Sequence, residues 1–263
     1  LKEVSQLSKN GGGVGVYMGD VRPAGAPISG GGKSTGIVPW AQQYDLCARV
    51  VSQGGVRRGS FAIYLPIDHP DVPELLRAKD HSKGDPRKFI DSNVALTITD
   101  EWVESMINGD VAKQELFGEV MKTRLMSGSP YLVYIDNANR QNPQCYVDRG
   151  LTVKTSNLCS EIFLHTDENH SFVCVLSSLN LSRYDEYRDW VSPNGRTVPQ
   201  LAVHMLDAVV SEFIRKAQHR VGLGRAVKFA EKSRALGLGT MGLHTLYQKR
   251  GLPFKSEGAR SLN

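Results

Sequence analysis

Asn157, Cys159 and Glu161 occupy alternate positions of the run Thr155-Ser156-Asn157-Leu158-Cys159-Ser160-Glu161-Ile162-Phe163. An extended backbone sends alternate side chains to opposite faces. The run therefore predicts an amide, a thiol and a carboxylate on one face, with Leu158, Ser160 and Ile162 on the other. Cys174 follows after a short polar turn, close enough in sequence to return beside Cys159, and a second sulfur points to redox chemistry. A carboxylate next to a thiol disfavours the thiolate. That suits hydrogen-atom transfer, which needs S–H, better than nucleophilic attack, which needs S⁻. The plainer reading of Cys159 is a buried structural thiol. Asn157 and Glu161 weigh against it, because two polar groups on a core face require partners. A thiol hydrolase with Cys159 as nucleophile is a third reading, distinguished by fast, pH-independent alkylation. His165 would share the Cys159 face of a continued strand, but six extended residues span roughly 20 Å, too far for a Cys–His pair without a bend. It reads as a surface histidine. Cys47 lies on the apolar stripe of a helix and Cys145 in a polar loop, and neither is given a role.

Three glycine-rich stretches invite nucleotide readings. Gly30-Gly31-Gly32-Lys33-Ser34-Thr35 imitates a P-loop, but Pro27 stands where the pattern needs its first glycine, and proline removes an amide that would cradle phosphate. Gly237-Leu238-Gly239-Thr240-Met241-Gly242 matches G-x-G-x-x-G literally. Charged Glu231-Lys232-Ser233-Arg234 precedes it in place of a buried strand, so close helix packing explains these glycines more simply. Gln53-Gly54-Gly55-Val56-Arg57-Arg58-Gly59 is more suggestive. Glycines around paired arginines make a loop able to lay guanidinium groups on a base or phosphate, with an ordinary solvated turn as the alternative.

The elements that position these residues alternate. LKEVSQLSK predicts a helix. Val14, Val16 and Met18 predict a strand running into a loop that lasts to about Thr35. Pro39 opens a helix from Trp40 to Ser52 with Trp40, Tyr44, Cys47, Val50 and Val51 at spacings of three and four. A buried strand over Ser60–Leu65 precedes a helix from about Asp71 to Lys79 and a charged loop around Lys83 to Lys88. Asn93–Thr99 is a strand, after which Asp100 caps a helix. Glu115–Met126 is an amphipathic helix with Leu116, Phe117, Val120, Met121 and Leu125 on one face. Tyr131–Ile135 is a strand, and a polar loop, Asp136 to Lys154, leads to the Cys159 run. From Val198 to Arg250 the chain reads as helical, broken at Gly222–Gly224 and Gly237–Gly242. Strands alternating with long helices predict an α/β fold with substantial parallel pairing. No repeat or low-complexity linker divides the chain, so one domain is expected.

At 263 residues and 40% hydrophobic, the chain can bury a sizeable core. Its net charge of +5 is spread among 27 acidic residues without a long basic run, which fits small phosphate-bearing molecules and argues against a direct nucleic-acid grip. Four cysteines without a CxxC pair argue against a disulfide scaffold or a zinc knuckle; no metal site is read, and a reducing, cytoplasmic setting is expected. No apolar stretch approaches the about 20 residues of a membrane span. The chain opens on Leu1 inside a helix pattern and stops at Ser261-Leu262-Asn263 after an apparent helix start, so a fragment of a longer polypeptide is expected.

The order of these motifs is familiar. Gly-rich Asn10 to Gly19 with Val21-Arg22-Pro23, then Ser52-Gln53-Gly54-Gly55-Val56-Arg57-Arg58-Gly59, then Ser156-Asn157-Leu158-Cys159-Ser160-Glu161-Ile162, then Cys174 before Leu179-Asn180-Leu181, resembles the large (α) subunit of class I ribonucleoside-diphosphate reductase. The resemblance covers essentially the whole chain, and Asn-Leu-Cys-x-Glu-Ile is highly specific. It implies that residues 1–263 are part of a ten-stranded α/β barrel with the active cysteine on a central loop, its thiol inside the barrel. Cys159 would be the thiyl radical, Glu161 the general base on the 3′ hydroxyl, Asn157 the holder of the substrate hydroxyls, and Cys174 one member of the reducing dithiol. Gly13 and the segment Asn157, Leu158, Cys159, Ser160 and Glu161 would line the substrate pocket. Arg22 would contact an effector phosphate, and Gln53, Arg57 and Arg58 belong to the loop that relays effector identity to substrate choice.

The same resemblance implies a ribonucleoside diphosphate as substrate, dNTP and ATP effectors, and no cofactor in this chain. A metal-containing small (β) subunit would supply the radical, thioredoxin or glutaredoxin the electrons, and a second large subunit would complete a homodimer. The cobalamin-dependent class, which draws its radical from adenosylcobalamin, is a near alternative, and a deoxynucleotide-binding regulatory module without chemistry a more distant one. In the family the partner of Cys174 lies upstream of Leu1, and neither Cys47 nor Cys145 aligns with it. The amino-terminal ATP-binding domain, the radical-passing tyrosine pair, the carboxy-terminal part of the barrel and the tail cysteines are not among these residues, so the chain alone is expected not to turn over.

Overall fold

A computed structural model of the chain describes residues 1–51, 58–80, 88–89 and 91–263. They divide into two compact units, Leu1–Glu168 and Asn169–Asn263. In the first, helix α1 (Lys2–Lys9) precedes strand β1 (Val14–Tyr17), followed by α2 (Ile37–Val50), β2 (Phe61–Pro66), α3 (Val72–Lys79), β3 (Asn93–Ile98), α4 (Asp100–Ile107), α5 (Val111–Ser127), β4 (Tyr131–Tyr134), α6 (Ile135–Arg140) and α7 (Gln144–Val147). The four strands form one sheet in chain order, every neighbouring pair parallel, with Val14 opposite Phe61, Ala62 opposite Asn93 and Ala95 opposite Tyr131. An open doubly wound sheet reverses its strand order partway; an order that simply follows the chain is the winding of an α/β barrel wall.

The pleat gives the sheet two apolar faces. Ile63, Leu65, Val94, Leu96 and Ile98 point to a core filled by Ile37, Val72, Leu75, Phe89, Trp102 and Val120, all buried. Ala62, Tyr64 and Ala95 point the other way and are covered by Tyr146 and Val153, with Leu158 and Phe163 packed against them. Both faces are closed to water, which explains why β2 and β3 read as continuous apolar runs. Burying each large aliphatic side chain is worth about 1.5–3 kcal/mol, so these two layers hold the unit together.

Several boundaries differ from the sequence reading for identifiable reasons. Helix α2 begins at Ile37, ahead of Pro39, and buries Ile37, Val38, Ala41, Asp45 and Ala48 rather than the predicted stripe, leaving Trp40, Leu46 and Val50 exposed. Asp45 is fully buried because its carboxylate accepts the amides of Asp91 (2.8 Å) and Ser92 (2.7 Å). The cap of α4 is Thr99, whose hydroxyl accepts the Trp102 amide at 3.3 Å. Asp100 is its first helical residue. On α5, Leu116, Phe117 and Val120 meet the core, whereas Met121 and Leu125 are exposed.

In the second unit, β5 (Val175–Asn180) is followed by a 3₁₀ turn (Leu181–Arg183), α8 (Tyr184–Tyr187), α9 (Val198–Ala217), α10 (Gly224–Ser233), β6 (Leu236–Met241), α11 (Leu243–Lys249) and α12 (Glu257–Leu262). A capping box between Thr197 and Gln200 starts α9, and Arg234 ties the end of α10 back to α9 through Asp207 and Ser211, both at 2.7 Å. The continuous helical reading from Val198 to Arg250 is corrected here: Leu236–Met241 is a strand parallel to β5. No helix among the described residues is long and apolar enough to cross a membrane.

Candidate active site

The segment carrying Asn157, Cys159 and Glu161 is a turn, not the expected strand. The Ser160 amide donates to the Asn157 carbonyl at 3.3 Å, and Ser160 has φ +64°, a left-handed conformation unusual for a residue with a side chain. Asn157 folds the turn with its own carboxamide. Its Oδ1 accepts the amides of Glu161 (3.2 Å) and Ile162 (3.1 Å), and its Nδ2 donates to Glu161 Oε1 at 2.9 Å. Such side-chain to backbone bonding is what short polar residues offer in competition with a strand ladder. Ser156, wholly buried, closes the loop by donating to the Ile162 carbonyl at 2.6 Å.

The expected sidedness survives in this different backbone. Leu158 packs on the sheet, while Cys159 and Glu161 are exposed. The expectation of a thiol within a closed interior is corrected: Cys159 faces solvent in this structure, because the left-handed turn lifts it off the sheet while Leu158 takes the apolar contact.

Two glycines of β1 and its approach let this loop lie flat. A Cβ on Gly15 would fall 2.0 Å from the Ser156 carbonyl oxygen, and one on Gly13 would fall 2.5 Å from Leu158 Cδ2. At Gly15 the clash is with backbone and only a residue without a side chain fits, whereas at Gly13 the Leu158 side chain would have to turn away. Gly13 and Leu158 also line a pocket with Ser8, Gly11, Gly12, Arg58, Gly59 and Ser60. The structure thus brings Gly13, Leu158 and Arg58 together next to the Cys159 turn, while Gln53 and Arg57 lie outside the described residues.

Arg22 is exposed on the loop between β1 and α2 and donates to the Pro27 carbonyl at 3.2 Å. That loop is tied down by Asp71, which accepts the amides of Ala24 (3.0 Å) and Ile37 (3.0 Å). Its Gly30-Gly31-Gly32 tip is a hairpin turn with Pro27 bridged to Lys33, and α2 starts only at Ile37, so the P-loop likeness is one of letters alone. Cys174 stands immediately before β5 in the second unit. In the G-x-G-x-x-G stretch, Gly237 serves the packing of β6 against β5, since a Cβ there would meet Leu176 Cδ2 at 2.2 Å and come within 3.6 Å of Cys174 Sγ, while Gly242 caps α11 in the left-handed conformation. His165 is partly buried rather than a surface residue, its ring bonded to the Thr152 carbonyl (2.7 Å) and to Asp167 (3.1 Å).

Two residues escaped the sequence reading. Tyr64, in the middle of β2, reaches the Asn157 carbonyl at 2.5 Å and Ser160 Oγ at 2.6 Å. Burial pushes its phenol above the ordinary tyrosine value, against the lowering effect of hydrogen bonds from Ser160 and Ser156, and the Glu161 carboxylate nearby adds to the rise. Asn139 of α6 grips Val153 through both its amide and its carbonyl (3.0 and 2.8 Å), fixing the approach to the turn. The signal for Tyr64 was present: a hydroxyl in an otherwise apolar strand must find a partner.

Comparison with known proteins identifies the family of the chain. The model of the ribonucleotide reductase barrel domain matches residues 1–113 and 102–263. A putative ribonucleoside-diphosphate reductase large subunit of Frog virus 3 is 35% identical over 273 residues, covering 98% of this chain and 46% of the relative. A vitamin B12-dependent ribonucleoside-diphosphate reductase of Mycobacterium tuberculosis is 32% identical across 98% of this chain and 37% of its own length. The solved class Id ribonucleotide reductase alpha subunit of Actinobacillus ureae superposes with a TM-score of 0.86 at 38% identity, over 98% of this chain and 46% of that one. The chain therefore spans about half, or less, of the length of these relatives. Its sheet is part of the reductase α/β barrel, and with a family match running from end to end the chain belongs to the ribonucleotide reductase barrel-domain family.

Proposed function

We propose that this chain supplies catalytic barrel residues of a reductase that converts ribonucleoside diphosphates to 2′-deoxyribonucleoside diphosphates. The observation that carries the reading is the turn itself, in which Asn157 and Glu161 are joined at 2.9 Å on either side of Cys159. As a thiyl radical, Cys159 takes the hydrogen atom from the 3′ carbon of the ribose, and Glu161 accepts the 3′ hydroxyl proton. The 2′ hydroxyl leaves as water. Two electrons come from a dithiol that includes Cys174 and ends as a disulfide, and Cys159 S–H returns its hydrogen to the 3′ carbon. Asn157, already bonded to Glu161, orients that carboxylate and holds the substrate hydroxyls, while Gly13 and the 157–161 backbone line the substrate pocket.

The radical comes from a metal-containing small (β) subunit, effectors bind through Arg22 and the Gln53, Arg57 and Arg58 loop, and large subunits pair as a homodimer. Thioredoxin or glutaredoxin restores the dithiol in the cytoplasm. The likeness to a vitamin B12-dependent reductase supports a second reading, in which adenosylcobalamin supplies the radical to the same cysteine. Replacing Cys159→Ser in the complete large subunit tests the core of the proposal. Deoxynucleotide effector binding is expected to survive and reduction to vanish. Continued reduction would remove Cys159 from the radical role.

A further inference from the structure

The proposed chemistry does not use Tyr64, although it is fully buried and its hydroxyl ends between two residues that flank Cys159. The hydrogen-bond directions follow from chemistry. The Asn157 carbonyl can only accept, so the single phenolic proton of Tyr64 goes there, and Ser160 must donate its own proton to the Tyr64 oxygen. Both hydroxyls are then satisfied by each other and by the turn. Ser160 is also the residue in the left-handed conformation that L side chains rarely adopt, and its hydroxyl is the group Tyr64 anchors. On the other side, the Asn157 residue that Tyr64 grips by its carbonyl is the one that holds Glu161. Strand β2 thus reaches through one phenol to the Asn157 backbone on one side of the thiol and to the Ser160 hydroxyl on the other.

We infer that Tyr64 is a positioning residue for the Cys159 turn, acting with Ser160 as a hydroxyl pair that fixes the thiol relative to the Glu161 carboxylate. A phenol is protonated at neutral pH, and burial shifts its titration further up, so the donor to Asn157 is present. A tyrosine serving only to fill the core would be replaced by phenylalanine without consequence at the turn. A positioning tyrosine would not. The inference rests on the reductase reading for its kinetic arm, but its chemical arm stands without it.

The test uses Tyr64→Phe, Ser160→Ala and the double variant in the complete large subunit, assayed with its radical source and reductant. Two quantities are measured: kcat and KM for the nucleoside diphosphate, and the rate at which iodoacetamide labels Cys159 at neutral pH, with exposed Cys145 as internal reference by mass spectrometry. Tyr64→Phe is expected to lower kcat about tenfold, equivalent to about 1.4 kcal/mol, while KM stays within about twofold. Labelling of Cys159 is expected to change severalfold and that of Cys145 to remain constant. The double variant should be no worse than Tyr64→Phe alone, because one interaction is being removed twice. Rates at wild-type level in both measurements, or effects of the two substitutions that simply add, would overturn the inference. If Tyr64→Phe does not fold, Ser160→Ala leaves the core untouched and decides by the same two readouts. A wild-type protein that forms no deoxynucleotide would sink the reductase reading, and the labelling result would still decide the role of Tyr64.

Discussion

At the scale of single residues, the site is a set of short polar side chains that satisfy one another around a cysteine. Asn157 spends its carboxamide on Glu161 and on two backbone amides, and Tyr64 spends its hydroxyl on the carbonyl of the same residue. One consequence is measurable by pH. Burial raises the Tyr64 phenol above the ordinary value of 10.0, so the folded protein favours the neutral form. This contribution is fully present below about pH 10 and is lost as pH rises through the folded value, since the unfolded chain releases its proton first. Urea denaturation across that range is expected to show stability falling, with a shallower fall in Tyr64→Phe; identical slopes would mean that Tyr64 does not couple to the fold. The residue types were legible in the sequence, but their geometry was not. Period-two spacing suggested a strand, whereas Asn157 preferred its own backbone and Ser160 took a left-handed conformation that composition does not announce.

At the scale of elements, the strands were the more readable part. Apolar runs bounded by turn residues located β1 to β4 to within a residue or two, most plainly β2 and β3, whose two faces are both buried. Strand β6 was missed because Leu-Gly-Leu-Gly-Thr-Met has little of the β-branched character that marks strands; Gly237 answers to the Leu176 side chain of β5 instead. The face of α2 was misjudged because its buried stripe contains Asp45, a charge made acceptable by two backbone amides. Glycine also governs how the Cys159 turn meets β1. Gly15→Ala would drive a methyl group into the Ser156 carbonyl, so the loop must shift. The variant is expected to lose about 1–3 kcal/mol in chemical denaturation and to change Cys159 labelling; wild-type stability would show that the loop does not rest on β1.

At the scale of the first unit, a sheet wound in chain order, with one face packed on α2, α3, α4 and α5 and the other on α7 and the Cys159 turn, is part of the reductase barrel wall. The reaction proposed for this surface is hydrogen-atom abstraction by Cys159 from the ribose of a nucleoside diphosphate. The most direct measurement is the rate of deoxynucleotide formation from nucleoside diphosphate deuterated at the 3′ carbon, compared with unlabelled substrate, in the complete reductase. Cleavage of that bond by the thiyl radical predicts slower turnover of the deuterated substrate and recovery of the deuterium at the 3′ carbon of the product. Equal rates with the deuterium washed into solvent would contradict the account.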